Sequence, residues 1–170
     1  MAALLVEMPY DQITIKAILD RADIGRATFY SHFRDKLDVV DAVATEMFGG
    51  LAVPSTLPGE SPLPALELFR HGAERATSLR AMLDTPGGEV FWRESLRAWS
   101  AAIERSFAQQ RGRPAGSMPP AVAAQFVTGG FAAVLRWWLR EGMPYTPEQM
   151  ATMTQVLLPD WATTLPKPGR

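Results

Sequence analysis

The sequence predicts an all-α fold in two parts, a small N-terminal helical unit and a larger helical domain. Apolar residues recur at helical spacing throughout, and no stretch alternates like a strand. A Pro-, Gly- and Ser-rich run, "VPSTLPGESPLP", divides the pattern, so we place the domains at 1–50 and 51–170. With 47% hydrophobic and 21% charged residues, the chain can bury a substantial core, which argues against disorder.

In order along the chain, "AALLVEM" forms a short helical fragment stopped by Pro9. Thr14 caps the next helix, with Ile13 and Ile18 placed as a hydrophobic staple. Ile15, Ile18, Leu19 and Ala22 supply its apolar stripe, and Asp23, tolerant of left-handed backbone, marks the turn. A short polar helix starts near Arg26 behind Gly25, and Phe29 and Phe33 share one face that pins it to a neighbour. Asp35 caps "KLDVVDAVATEMF", which ends at Gly49-Gly50.

Beyond the divide, Leu63, Leu66, Phe69, Ala73, Ala76, Leu79 and Leu83 mark one long amphipathic helix, broken by "TPGG". Trp92, Leu96, Trp99, Ile103 and Phe107 mark the next, and "RGRPAGSMPP" is a loop. From Ala121 to Glu141 runs a helix apolar on nearly every side, stopped by Gly142. Thr146 and Gln149 form a capping box, with Pro147 at the first helical position.

Several function classes are excluded or disfavoured. Without cysteine there is no disulfide, thiolate metal site or thiol nucleophile, and the two histidines, His32 and His71, are too few for most histidine metal sites. No Ser, His and acid arrangement or Gly-rich phosphate loop is visible, and a charged helix surface accounts for Glu89 and Glu94, so we read no enzyme and no cofactor. No apolar run approaches the roughly 20 residues of a membrane span, and the N-terminus lacks signal-peptide features, so a cytoplasmic protein with no membrane partner is expected. The net charge is −1, and the first fifty residues carry five Lys or Arg against eight Asp or Glu, a balance that argues against a polyanion partner.

The short polar helix argues the other way. Two helices joined by a tight turn, the second short and polar outside, make a helix-turn-helix, whose second helix points its first turn into the major groove. Arg26 can pair with guanine O6 and N7, and the methyls of Ala27 and Thr28 can touch thymine. Tyr30, His32 and Lys36 can reach phosphates. The alternative is a helical hairpin whose polar side faces water.

Residues 13–43, "ITIKAILDRADIGRATFYSHFRDKLDVVDAV", resemble the DNA-binding region of TetR/AcrR-family bacterial transcriptional regulators, most specifically in T-F-Y-x-H-F followed by D-K. The segment "FVTGGFAAVLRWWLREGMPYTPEQM" is similar to the C-terminal helices of one branch of that family. The resemblance implies DNA contacts by Ile15, Lys16, Arg26, Ala27, Thr28, Tyr30, His32 and Lys36. Asp23 and Gly25 stand where the family often has Gly and Ser, and the chain opens inside the family's first helix, as a truncated or short form would. Missing upstream basic residues would weaken phosphate affinity.

The resemblance also implies a homodimer formed by the last two helices, to which Phe126, Gly129, Gly130, Phe131, Leu135, Trp138 and Leu139 are assigned. A central core helix of a monomer would give the same apolar pattern. A small-molecule effector in the larger domain is implied as well, with His71, Met82, Phe91, Trp92, Trp99, Phe107 and Gln125 as candidate lining or, equally, plain core. The expected function is a ligand-responsive, homodimeric repressor on a double-stranded operator. The alternative is a small-molecule- or protein-binding module of the same fold that has lost operator binding.

Overall fold

The computed structural model describes residues 1–48, 64–109 and 118–158, all helix, turn or loop. The helices are α1 (Ala2–Glu7), α2 (Ile15–Ala22), α3 (Arg26–His32), α4 (Lys36–Phe48), α5 (Ala65–Glu74), α6 (Ala76–Leu83), α7 (Pro86–Gln109), α8 (Pro120–Arg140) and α9 (Pro147–Leu157), with a 3-10 turn at Tyr10–Gln12. The fold class is the expected one. Gly49-Gly50, most of the Pro-rich run and most of the loop before α8 lie outside the described residues.

Two compact units emerge, and they do not divide at residue 50. The first comprises Met1–Met47 with Thr77–Ser95, the second Phe48–Ala76 with Leu96–Arg170. The reason lies in "TPGG", which breaks the helix as expected and also starts α7. Thr85 caps it by accepting from Gly88 N at 2.9 Å, Pro86 takes the first helical position, and the Thr85 hydroxyl donates to Leu5 O of α1 at 3.1 Å. Glycine is required here by space. A Cβ on Gly87 would lie 2.8 Å from Met8 O and 2.9 Å from Leu5 Cα, and one on Gly88 would overlap the Met82 carbonyl.

In the first unit, Leu4, Leu5, Ile13, Ile18, Phe29, Val39 and Val40 are buried with Leu79, Met82, Phe91 and Trp92. Thr14 accepts from Ala17 N, Ile13 and Ile18 are both buried as a staple requires, and Asp23 turns left-handed (φ 52°, ψ 48°). Ala22 is exposed and Ile15 and Leu19 are half-buried, so the buried stripe of α2 is narrower than its sequence suggests. Glu94, expected on a charged surface, is buried, with Arg93 Nε 3.1 Å from its carboxylate.

In the second unit, α5 packs on α9 and α8. The ring of Phe69 lies 5.1 Å from that of Phe131 and 5.3 Å edge-on to Trp138, and Trp99 closes on Phe131 at 5.9 Å. The single long helix expected over 63–83 is two, separated at Arg75 (φ −107°, ψ 15°), with Leu68 buried where Leu66 was expected. Gly142 (φ 81°) ends α8, Trp138 Nε1 donates to Tyr145 O at 2.9 Å across the turn, and the Thr146–Gln149 capping box forms.

Helix α8 corrects one expectation. It is long and apolar enough to cross a membrane by length and composition, and half of that stretch is buried inside the chain. Its buried side, from Ala123 and Ala124 through Val127, Phe131, Leu135, Trp138 and Leu139, accounts for much of that apolarity as core.

Candidate nucleic-acid interface

Helix α3 is held from one side and open on the other. Phe29 is 1% exposed, with its ring 5.6 Å from Phe33 and edge-on to Tyr30 at 5.2 Å. That anchor turns Arg26, Ala27, Thr28, Tyr30 and His32 to solvent, with Tyr30 49% exposed. The Ser31 hydroxyl bonds back to Thr28 O at 2.7 Å. On α2, Lys16 is exposed and Ile15 half-buried.

The cations of this unit differ sharply in how they are held. Lys16 pairs with Asp20 one turn on, Arg21 makes a two-point contact with Glu7 (2.9 and 2.7 Å), and Arg34 grips Asp38 through Nε and Nη2, both at 2.8 Å. All three cations are exposed, so each pair contributes little and can exchange a carboxylate for another anion. Arg34 also holds the Asp38 carboxyl down, to a pKa of about 2, first through its side chain and then through its backbone N–H. Asp35 caps α4, as expected, by accepting from Leu37 N and Asp38 N at 2.7 and 3.0 Å. Arg26 makes no ion pair or side-chain hydrogen bond among the described residues.

Lys36 is different again. Its half-buried side chain turns inward, and the ammonium donates to Tyr10 O at 2.8 Å and Ile13 O at 3.0 Å, with Asp11 O at 3.5 Å. It also sits 4.2 Å over the Tyr10 ring. In the chain without DNA, carbonyls and a ring thus hold the charge expected at a phosphate.

The expected effector residues fall in both units. Met82, Phe91 and Trp92 are buried in the first unit, and Trp99 and Phe107 in the second. His71 is half-buried with Nδ1 4.0 Å from Glu74, and Gln125 is exposed with its amide donating to Ser100 Oγ at 2.9 Å.

The expected interface residues separate as well. Phe126 is 60% exposed, and Gly129 and Gly130 have open space where a Cβ would stand. Phe131, Leu135, Trp138 and Leu139 are buried in the chain's own core, which corrects their assignment to a dimer surface. An apolar groove of about 240 Å³ runs between α8 and α9, lined by Phe126, Val127, Gly130, Phe131, Val134, Thr154, Leu157 and Leu158. Beside it Val122, Met153, Val156 and Leu157 are exposed, the last two at 81% and 67%. The sequence signal for this face is the spacing of Met153, Val156 and Leu157 on α9, masked by the greater apolarity of α8.

Two family models match the chain. One, described as bacterial regulatory proteins of the tetR family, covers residues 2–43, and the other, a transcriptional regulator C-terminal region, covers residues 63–160. Comparison with curated proteins finds no match. The first model covers the helices that carry and hold α3 and the second covers more than half of the chain, so this protein belongs to the TetR family of DNA-binding transcriptional regulators.

Proposed function

We propose that the chain is a homodimeric, ligand-responsive repressor that reads its operator with α3. The observation that carries the reading is the two-sidedness of that helix. Buried Phe29 fixes its roll, and Arg26, Ala27, Thr28 and Tyr30, whose side chains suit base edges and phosphates, are left outside. A second copy covers the α8–α9 groove, since an apolar face of this extent on one side of two adjacent helices suits an isologous partner. The effector belongs in the second unit, where the Ser106 and Thr128 hydroxyls are buried with no hydrogen-bond partner among the described residues. Orphaned hydroxyls in a core of aromatic rings would be satisfied by a largely apolar guest carrying one or two polar atoms.

The test is fluorescence anisotropy with the DNA upstream of the protein's own gene against an unrelated duplex, across a range of salt. Selective, salt-sensitive binding is expected, and Arg26→Ala should cost about 1–3 kcal/mol if the guanidinium makes a two-point base contact. The second reading, a regulator of the same fold that has lost operator binding, is favoured by the acidic balance and by the intramolecular ties on four of the five N-terminal cations. No selective binding, or binding indifferent to Arg26→Ala, would decide for it.

A further inference from the structure

We propose that Arg34 is a phosphate ligand of the head that Asp38 holds in reserve, its carboxylate occupying the guanidinium until a phosphate takes its place. Arg34 follows α3 closely, two residues past the exposed His32, and stands with Asp35 ahead of the first residue of α4. When the first turn of a recognition helix enters the major groove, the C-terminal end of that helix can lie against the sugar–phosphate backbone. A cation just beyond that end is therefore within reach of phosphate.

The pair is built unevenly. The Asp38 side chain is mostly covered, at 21% exposed, and its Oδ2 also accepts from the Arg34 backbone N–H at 2.9 Å, so the carboxylate stays where it is. The Arg34 side chain is 88% exposed and is gripped at its tip, with Nε and Nη2 each 2.8 Å from a carboxylate oxygen. That planar two-point grip is also how arginine takes a phosphate, which makes the carboxylate a close stand-in for one. Asp35 and Asp41 add to the negative field around the guanidinium, and Asp35 is itself committed to the cap of α4. Release of the side chain costs the fold little. Arg21 joins α2 to α1 through Glu7, so opening that pair loosens two helices, whereas the backbone bond from Arg34 to Asp38 outlasts the departure of the guanidinium. An exposed pair is worth little in water, so a duplex can win the exchange.

This inference rests on the reading of α3 as the DNA-contacting helix, and the choice of duplexes keeps the two failures apart. Anisotropy titrations over a range of salt use the DNA upstream of the gene and an unrelated duplex. The full chain is compared with Arg34→Gln, Arg34→Lys, Asp38→Asn and the variant carrying both Arg34→Gln and Asp38→Asn. Asparagine keeps an oxygen for the Arg34 backbone N–H, and the exposure of Arg34 spares the core in its own variants. Arg34→Gln should bind both duplexes roughly tenfold more weakly and flatten the slope of log affinity against log salt by about 0.9 for each contact. Arg34→Lys, which keeps the charge, should keep the slope. Asp38→Asn should bind about two- to fivefold more tightly, the gain expected from freeing an exposed pair, and that gain should vanish once Arg34 is replaced by Gln. A parental slope in Arg34→Gln, or unchanged affinity in Asp38→Asn, would overturn the proposal and leave the pair as a brace for the start of α4. An equal gain from Asp38→Asn with and without Arg34 would overturn it too, as the general effect of one carboxylate fewer. A parent that binds both duplexes alike removes the operator reading while the Arg34 comparison still decides, and a parent that binds neither overturns both.

Discussion

Leu157→Ser is the most direct probe of the proposed α8–α9 association. Leu157 lies in the last turn of α9, is 67% exposed, and lines the apolar groove. Full burial of a leucine side chain is worth about 1.5–3 kcal/mol, so covering the exposed two-thirds contributes about 1–2 kcal/mol. A two-fold interface uses the same patch twice, which doubles the loss to about 2–4 kcal/mol per dimer. The dimer dissociation constant should rise roughly 30- to 700-fold. Sedimentation equilibrium across a concentration series measures it, and a thermal melt under conditions where both proteins are monomeric supplies the control. Because the side chain is mostly exposed in the isolated chain, the monomer melting temperature should barely move. An unchanged dissociation constant, or a parent that stays monomeric at the highest concentration, would refute the assignment of this face. A large fall in monomer stability would show that Leu157 belongs to the chain's own core.

Two further predictions concern stability. Gly88→Ala forces a Cβ into the Met82 carbonyl, a backbone atom that cannot swing aside, so about 1–3 kcal/mol should be lost and the melting temperature should fall by roughly 3–10 °C; an unchanged melt would show that α6 and α7 can separate freely. The Arg34–Asp38 pair should respond to acid in a defined window. Asp38 titrates at about 2 in the folded chain against its ordinary 3.8, so its contribution is present above the ordinary value and is lost as pH falls through the folded one. Chemical denaturation should therefore show the parent's advantage over Asp38→Asn holding above pH 4 and shrinking toward pH 2, and a constant difference would deny the linkage.

Much of the local structure was legible because its cause is local. Thr14, Asp23, Asp35, Gly142 and the Thr146–Gln149 box each act within a few residues of chain, and each appears where its chemistry required. The break at Arg75 was silent because the buried positions 65, 68, 69, 72, 76, 79 and 83 keep helical spacing straight through it. "TPGG" separates α6 from α7 as expected, yet its Pro86, Gly87 and Gly88 already belong to α7. Read alone it is turn chemistry, but Thr85 and Pro86 are also the chemistry of a helix start, and only the backbone of α1 lying alongside decides between them. The face of α8 was illegible for want of polar contrast, because a helix apolar all round does not say which side its own core takes. Lys36 shows the same limit for charge, since nothing along the chain reveals that the carbonyls of Tyr10 and Ile13 surround it.

That last point bears on how an acidic head could meet DNA at all. Counted by residue type, the first fifty positions carry −3, which suggests repulsion from a polyanion. Counted by what each charge can reach, the picture changes. Asp20, Glu7 and Asp38 are each held against a cation on the same unit. The outer face of α3, from Arg26 to His32, holds no carboxylate, and Arg26 stands there without an ion pair among the described residues. Exposed pairs such as Lys16–Asp20 cost little to open, so a phosphate can replace a carboxylate at small expense. Few net counterions are then released per head, and more of the affinity must come from side chains that read base edges and from the proposed two-fold repetition of the head. Such a head gains more in selectivity than in strength from α3, and it depends on the helix being held at one fixed angle by buried Phe29.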